Sequence, residues 1–223
     1  MKKILTSVVA MLLAVPTFAQ MGSGGFTADA DNVYYGLRIG FTAASISGEK
    51  VMPVANNWGF LDSDLGVKTG LSIGGVVGLR VSNNVPVFLE SGLYYSERGG
   101  KSDGIKANYI NFEIPLLIKY GFNVQDDFSI IPYFGPVFSY AVSGKTKQPD
   151  GSTGKEKVGT FDEKKAITGG LRRPNFGLKL GCGFEYNMLY AELGYQFGVS
   201  NIAKYDDMTA HSNAFFANFG LNF

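Results

Sequence analysis

From Asn213 to Phe223 the chain alternates between two characters. Phe215, Ala217, Phe219, Leu221 and Phe223 share one parity; Phe216, Asn218, Gly220 and Asn222 share the other. A period of two marks a strand with one apolar face and one mainly polar face. The same alternation recurs upstream and predicts strands near 34–44, 70–82, 86–97, 108–120, 174–186 and 189–200. In the first of these, Tyr35, Leu37, Ile39 and Phe41 oppose Gly36, Arg38, Gly40 and Thr42. In the fourth, Ile110, Phe112, Ile114, Leu116, Ile118 and Tyr120 oppose Asn111, Glu113, Pro115 and Lys119. One further strand is expected at 128–142, but both its parities are apolar and its facing stays open.

The connections between these segments alternate in length. Long polar stretches at 45–69, 98–107, 143–173 and 201–212 follow the odd strands; short turns at Asn83-Asn84, 123–127 and Asn187-Met188 follow the even ones. Up-and-down membrane barrels have this asymmetry, with long loops outside and short turns on the periplasmic side. A last strand that left an edge open would be a template for aggregation, and pairing with the first strand removes the edge. The fold class expected is therefore all-β, an eight-stranded antiparallel up-and-down transmembrane β-barrel with both termini periplasmic.

The charged parity decides which face meets solvent. Arg38, Arg80, Lys119 and Lys179 fall on it together with Glu90, Glu113, Glu185 and Glu192. Gly36, Gly40, Gly74, Gly78, Gly92, Gly177, Gly181, Gly183, Gly194, Gly198 and Gly220 share that parity. Eight strands enclose little more than their own side chains, so small residues beside long charged ones suit a narrow interior. Buried ions are costly unless paired. An ion-pair network locking the lumen is the expectation; an ion path for small solutes is the competing reading. Aromatics near strand ends suggest two girdles, Tyr34, Tyr35, Tyr120, Phe122, Tyr186, Tyr190 and Phe223 on the periplasmic side and Tyr94, Tyr95, Tyr109 and Tyr140 on the outer side.

Composition narrows the rest. A net charge of +1 implies no nucleic-acid partner, and thirty glycines with 14% aromatics favour strands over helices. Residues 1–19 read as a signal peptide: Lys2 and Lys3, an apolar run from Ile4 to Leu13, then Thr17-Phe18-Ala19 at the cleavage site. That run is shorter than the roughly 20 residues a spanning helix needs. Residues 20–33 are expected to be a flexible periplasmic tail and 34–223 the barrel. The single cysteine, Cys182, falls on the lipid-facing parity and excludes an intrachain disulfide.

Candidate chemistry is sparse, and no catalytic, cofactor-binding or metal-binding residue is expected. The glycines from Gly70 to Gly78 lie in an unbroken alternation, so they are strand glycines and not a phosphate loop. His211 precedes Ser212 and follows Asp206 and Asp207, but a triad needs mutual contact that spacing alone does not supply. Glu113 and Glu185 resemble an acid–base pair only if a substrate cleft separates them. Lys145, Lys147, Lys155, Lys157, Lys164, Lys165, Arg172 and Arg173 make the third long loop basic, suited to lipopolysaccharide phosphates or to plain solvation. Trp58, Phe60 and Leu61 in the first loop would mark a contact site or fold back over the barrel mouth.

Three runs, Tyr35-Gly36-Leu37-Arg38-Ile39-Gly40, Ile114-Pro115-Leu116-Leu117-Ile118-Lys119-Tyr120-Gly121 and Pro132-Tyr133-Phe134-Gly135-Pro136, together with the closing Phe223, resemble the PorT-like outer-membrane β-barrel domain family. That family is similar in architecture to the OmpX and OmpA barrels. The resemblance implies an outer-membrane location, outer-membrane lipid and lipopolysaccharide as surroundings, and a monomer. It also implies recognition of Phe223 by the barrel assembly machinery. A structural or interaction role through the outer loops, toward an unidentified protein partner, is the first functional expectation. A small-solute channel and a PorT-like accessory role in protein secretion are the alternatives.

Overall fold

A computed structural model describes residues 32–48, 52–53, 60–61, 65–82, 84–102, 105–125, 127–149, 155–162, 171–204 and 209–223. The expected signal peptide, nearly all of the tail, and Trp58 lie outside the described residues; Val33, assigned to the tail, instead begins the first strand. We number the eight long strands β1 Val33–Ser47, β2 Leu65–Arg80, β3 Val87–Ser102, β4 Ile105–Tyr120, β5 Phe128–Pro149, β6 Pro174–Tyr186, β7 Leu189–Gly198 and β8 His211–Asn222. Each pairs antiparallel with the next. β8 then pairs with β1, Ile39 opposite Phe219, which closes the barrel. Tyr35 and Phe223 exchange both backbone hydrogen bonds at this seam (2.8 and 2.9 Å). Among the described residues no helix is long and apolar enough to cross a membrane.

β1 to β5 and β8 run further at the loop end than alternation suggested, whereas β6 keeps the expected 174–186 and β7 stops at Gly198, short of the expected 200. Residues 98–102 and 105–107, expected as loop, continue the β3–β4 ladder, with Arg98 opposite Tyr109 and Lys101 opposite Lys106. β5 continues to Pro149 and pairs there with a short strand, Lys155–Gly159, inside the expected third loop. Phe122–Gln125 folds onto the start of β5, and Met52–Pro53 pairs with Phe60–Leu61 in the first loop.

The facing is that of a barrel turned inside out. Phe41, Ile39, Phe134 and Phe219 are about 60% exposed (63, 60, 60 and 59%), while Arg38 and Glu90 are 2% and 0% exposed. So much contiguous apolar surface does not persist in water; lipid is its solvent. β5 resolves in the same sense: Ile131, Tyr133, Val137, Ser139 and Ala141 are buried, and Phe134, Phe138 and Tyr140 face outward.

Four girdle assignments need correction. Tyr34, Tyr94, Tyr109 and Tyr190 are buried inside the barrel, whereas Tyr35, Tyr120, Phe122, Tyr140 and Tyr186 are exposed. The reason is a set of cross-strand pairs in which an inward ring lies over a glycine: Tyr34 opposite Gly78, Tyr94 opposite Gly74, Tyr133 opposite Gly181 and Phe216 opposite Gly194. A Cβ on any of these glycines would run into that ring. The inward glycines thus make room for aromatic side chains that fill the lumen.

Candidate functional site: a bridged lumen

Inward alternation brings ionic groups from most strands to one axis. Arg38, Arg98, Lys119 and Lys179 are buried there with Glu90, Glu113, Glu185 and Glu192, and Lys68 is buried nearer the loop end. In the lower layer, nearer the short turns, Lys119 Nζ lies 2.7 Å from Glu90 Oε2, and Arg38 Nη2 lies 3.9 Å from the same oxygen. Tyr34 Oη also donates to it at 2.6 Å. Arg38 Nη2 donates to Asn222 Oδ1 at 2.5 Å, and Asn222 Nδ2 in turn donates to Glu185. Lys119 Nζ donates to Tyr190 Oη at 2.9 Å, Tyr190 Oη donates to Glu192 Oε2 at 3.2 Å, and Asn218 Nδ2 donates to Glu192 Oε1 at 2.7 Å. The Arg38 guanidinium also stacks 3.8 Å from the Tyr190 ring centroid. One connected network therefore ties β1, β3, β4, β6, β7 and β8.

The middle of the lumen is aromatic. Lys179 Nζ stands 4.1 Å from the Phe216 ring centroid and 4.8 Å from that of Tyr94. Cation–π contacts of this kind gain strength when desolvated. Above them, Arg98 Nε lies 2.6 Å from Glu113 Oε1, and its Nη2 donates to Gln196 Oε1 at 2.7 Å. Higher still, Tyr109 Oη and Ser212 Oγ are 2.7 Å apart. β3 and β7, like β4 and β8, stand opposite each other in the ring of strands. Arg98–Gln196 and Tyr109–Ser212 are therefore struts across the bore.

A buried apolar cluster lies at the loop end of the bore. It comprises Ile46, Leu65, Ala107, Tyr109, Ala141, Leu171, Ile202, Ala203 and Ala210, with Phe161 packed against it. Leu171 and Ala203 pair as an isolated bridge, and Arg172 N donates to Ile202 O at 2.7 Å. The end of the third long connection and the start of the fourth are thereby tied together at this cluster.

The expected network members divide as follows. Arg38, Glu90, Lys119, Glu185 and Glu192 meet in the lower layer, Glu113 sits in the upper one, and Lys179 lies between aromatic rings. Arg80 does not join them: it is half-buried at the end of β2, where its Nε donates to Ser82 O at 2.9 Å and its guanidinium faces Phe88 at 5.8 Å. Its place is taken by Arg98, which sequence reasoning left in a loop. The parity of Tyr94 and Ser96 points straight to Arg98 once the strand is allowed to continue.

The remaining candidates are separated. Ser212 is buried inside the bore on Tyr109, while His211 lies on the opposite parity across from Ser47. Asp206 and Asp207 lie outside the described residues. Glu113 and Glu185 are held in different layers, opposite Ser139 and Ser129 of β5 respectively. Phe60 belongs to the short first-loop ladder. Among the described residues, no cluster of His, Cys, Asp and Glu could hold a metal ion.

A closed antiparallel barrel with an apolar exterior and a salt-bridged interior is an outer-membrane barrel. A family model described as outer membrane protein beta-barrel domain matches residues 18–204, and the chain belongs to that family. No curated protein matches it by sequence. Among solved structures, it is similar to the outer membrane protein OprG of Pseudomonas aeruginosa at 12% identity and a TM-score of 0.50, covering 89% of this chain and 99% of that one. Neisserial surface protein A is similar at 14% identity and a TM-score of 0.46, covering 86% and 100%. The attachment invasion locus protein Ail of Yersinia pestis is similar at 12% identity and a TM-score of 0.40, also covering 86% and 100%. These likenesses concern the fold.

Proposed function

We propose that this outer-membrane barrel is a closed structural and interaction module, which works through the long strand extensions at its loop end and does not pass solutes along its axis. In this reading the loop end faces outward and the short turns face the periplasm. The observation that supports it is the pair of struts across the bore, Arg98–Gln196 and Tyr109–Ser212, lying beneath an apolar cluster. Interior groups that grip one another from opposite walls leave no free path between them. Purified protein in planar bilayers is expected to show no stable conductance steps. Replacing Arg98, Tyr109 and Lys119 together by Ala should raise conductance, provided circular dichroism shows the barrel intact. Well-defined channels in the unaltered protein would overturn the reading.

A second reading, a narrow small-solute channel, draws support from buried polar atoms that hold no protein hydrogen bond: Arg98 Nη1, Gln196 Nε2 and Asn218 Oδ1. The same recordings decide between the two. A PorT-like role in secretion rests on the sequence resemblance; crosslinking from Asn187 and Met188 at the β6–β7 turn to a periplasmic partner would test it.

A further inference from the structure

The outward face of the strand extensions carries a second array of charge, distinct from the lumen. Lys101 of β3 is the register partner of Lys106 of β4, Lys106 is the partner of Lys147 of β5, and Lys147 is the partner of Lys157 in the short strand beyond. Residues directly opposite on neighbouring strands point to the same side of a sheet. The four lysines thus form one transverse row, about 14 Å long at the usual strand spacing. All four are exposed, and Lys145, also exposed, sits two residues below Lys147 on the same face. Like charges placed directly opposite one another destabilise a sheet. None of the five forms an ion pair with another described residue. From 145 to 157 the sequence sets four lysines against Asp150 and Glu156. An external anion bound along such a row would relieve this repulsion.

Its height points to the anion. On β4 the outward residues from Tyr120 through Ile118, Leu116, Ile114 and Phe112 to Ile110 are apolar or aromatic. Ten residues of tilted strand rise about 26 Å, which matches the apolar band of an outer-membrane barrel, about 25 Å tall. Lys106 lies four residues further on, roughly 10 Å above the edge of that band. On β5 the exposed Tyr140 stands at the same boundary, below Lys145 and Lys147. The row therefore stands in the headgroup layer of the membrane. Beside it, across the Lys145–Gly159 pair, lies an open groove of about 360 Å³ lined by Val142, Ser143, Gly144, Gly159, Phe161, Asp162 and Arg173. The Arg173 guanidinium covers the Phe161 ring there at 4.5 Å.

We propose that Lys101, Lys106, Lys147 and Lys157, with Lys145, form a docking row for the phosphates of a phosphorylated glycolipid in the leaflet around the barrel's loop end. The adjoining groove receives part of its sugar headgroup. A free polyanion would be met as well by lysines at the loop tips; a row one headgroup above the lipid boundary fits a ligand whose tails are already in the bilayer. The proposal rests on the loop end facing outward, as above.

The test is native mass spectrometry of the full-length protein refolded in detergent, titrated with bisphosphorylated lipid A. Dephosphorylated lipid A and a soluble sulfated oligosaccharide serve as comparators. Retention of bisphosphorylated lipid A is expected to exceed that of the dephosphorylated form and to weaken with salt. It should fall about tenfold or more in K101Q/K106Q/K147Q/K157Q, since each lysine near an anionic surface contributes measurably. The corresponding Lys→Arg variant should keep it. Circular dichroism shows whether each variant folds. Equal retention by the Gln variant, or preference for the soluble oligosaccharide, would overturn the proposal. Orientation is tested separately, by labelling Lys157→Cys on whole cells with an impermeant maleimide in a Cys182→Ser background. Failure there would sink the outward orientation, while the lipid titration still reads the site itself.

Discussion

Arg98 and Gln196 meet at 2.7 Å although their strands stand on opposite sides of the barrel. The same guanidinium holds Glu113 at 2.6 Å on the neighbouring strand. One side chain thus sets the distance between two walls and neutralises a buried carboxylate. Removing it leaves Glu113 charged and unpartnered in a place water reaches poorly. Arg98→Met is expected to cost about 3–5 kcal/mol, the usual penalty for breaking a buried pair from one side. Adding Glu113→Gln should recover much of that loss, because the orphaned charge is then gone. Urea unfolding in lipid vesicles, followed by circular dichroism, measures both variants.

Glu90 is the hub of the lower layer. Its Oε2 takes Tyr34, Lys119 and, at longer range, Arg38. Glu90→Gln would leave two cations facing a neutral amide, whereas Lys119→Met removes only one of the carboxylate's partners. The first should therefore destabilise more than the second. The double variant should be more stable than the sum of the single losses, because contacting members of a network do not act additively. A coupling below about 0.5 kcal/mol in the same unfolding assay would mean that Lys119 and Glu90 are held apart in solution.

Gly74 and Tyr94 are a register pair, and a Cβ at Gly74 would fall 2.6 Å from the tyrosine ring. The ring is boxed in on its other side by Lys179. Gly74→Val is expected to cost about 1–3 kcal/mol through overpacking. Tyr94→Leu placed in that background should restore part of the stability, although alone it would lower it by leaving a void. Opposite signs for one substitution in two backgrounds would identify the contact directly. If Tyr94→Leu destabilises both equally, the ring does not pack on Gly74.

The legible part of this chain is the part that lies in lipid. Between Tyr120 and Ile110 every second residue must be apolar, so the period-two signal is strong and the strand is visible in the sequence. Above Ile110 the outward face is wet. Asn108 and Lys106 then alternate with Ala107 and Tyr109, and the polar–apolar contrast no longer separates strand from loop. Arg98 was hidden for this reason: Glu97, Gly99, Gly100 and Lys101 around it look like a loop when judged by hydropathy. Gly99 has φ 153°, and a Cβ there would fall 2.1 Å from the Ala107 carbonyl oxygen, so the position requires glycine. The inward tyrosines were misplaced for a different reason. Tyr34 and Tyr190 are near strand ends, and Tyr94 and Tyr109 are near the ends of the shorter strands that alternation predicts, where an aromatic belt is expected; their parity places them inside. The charges were readable because a buried ion in a narrow bore demands an opposite partner, whichever strand supplies it.

The outward face makes its own prediction. Leu116 is half-exposed near the middle of the apolar band, between Ile114 and Ile118. An arginine there would have to cross the hydrocarbon to reach water, since neither end of the band is within a side chain's length. Leu116→Arg should cost about 2–4 kcal/mol when unfolding is measured in lipid vesicles. The same substitution at Val142, above the Tyr140 boundary, should cost about 0–1 kcal/mol, because the guanidinium can reach the headgroups. In a detergent micelle, which deforms around a charge, the difference between the two sites should shrink. Equal costs at both depths in vesicles would contradict the placement of the bilayer against this face, because burial in protein would not grade with height along the strand.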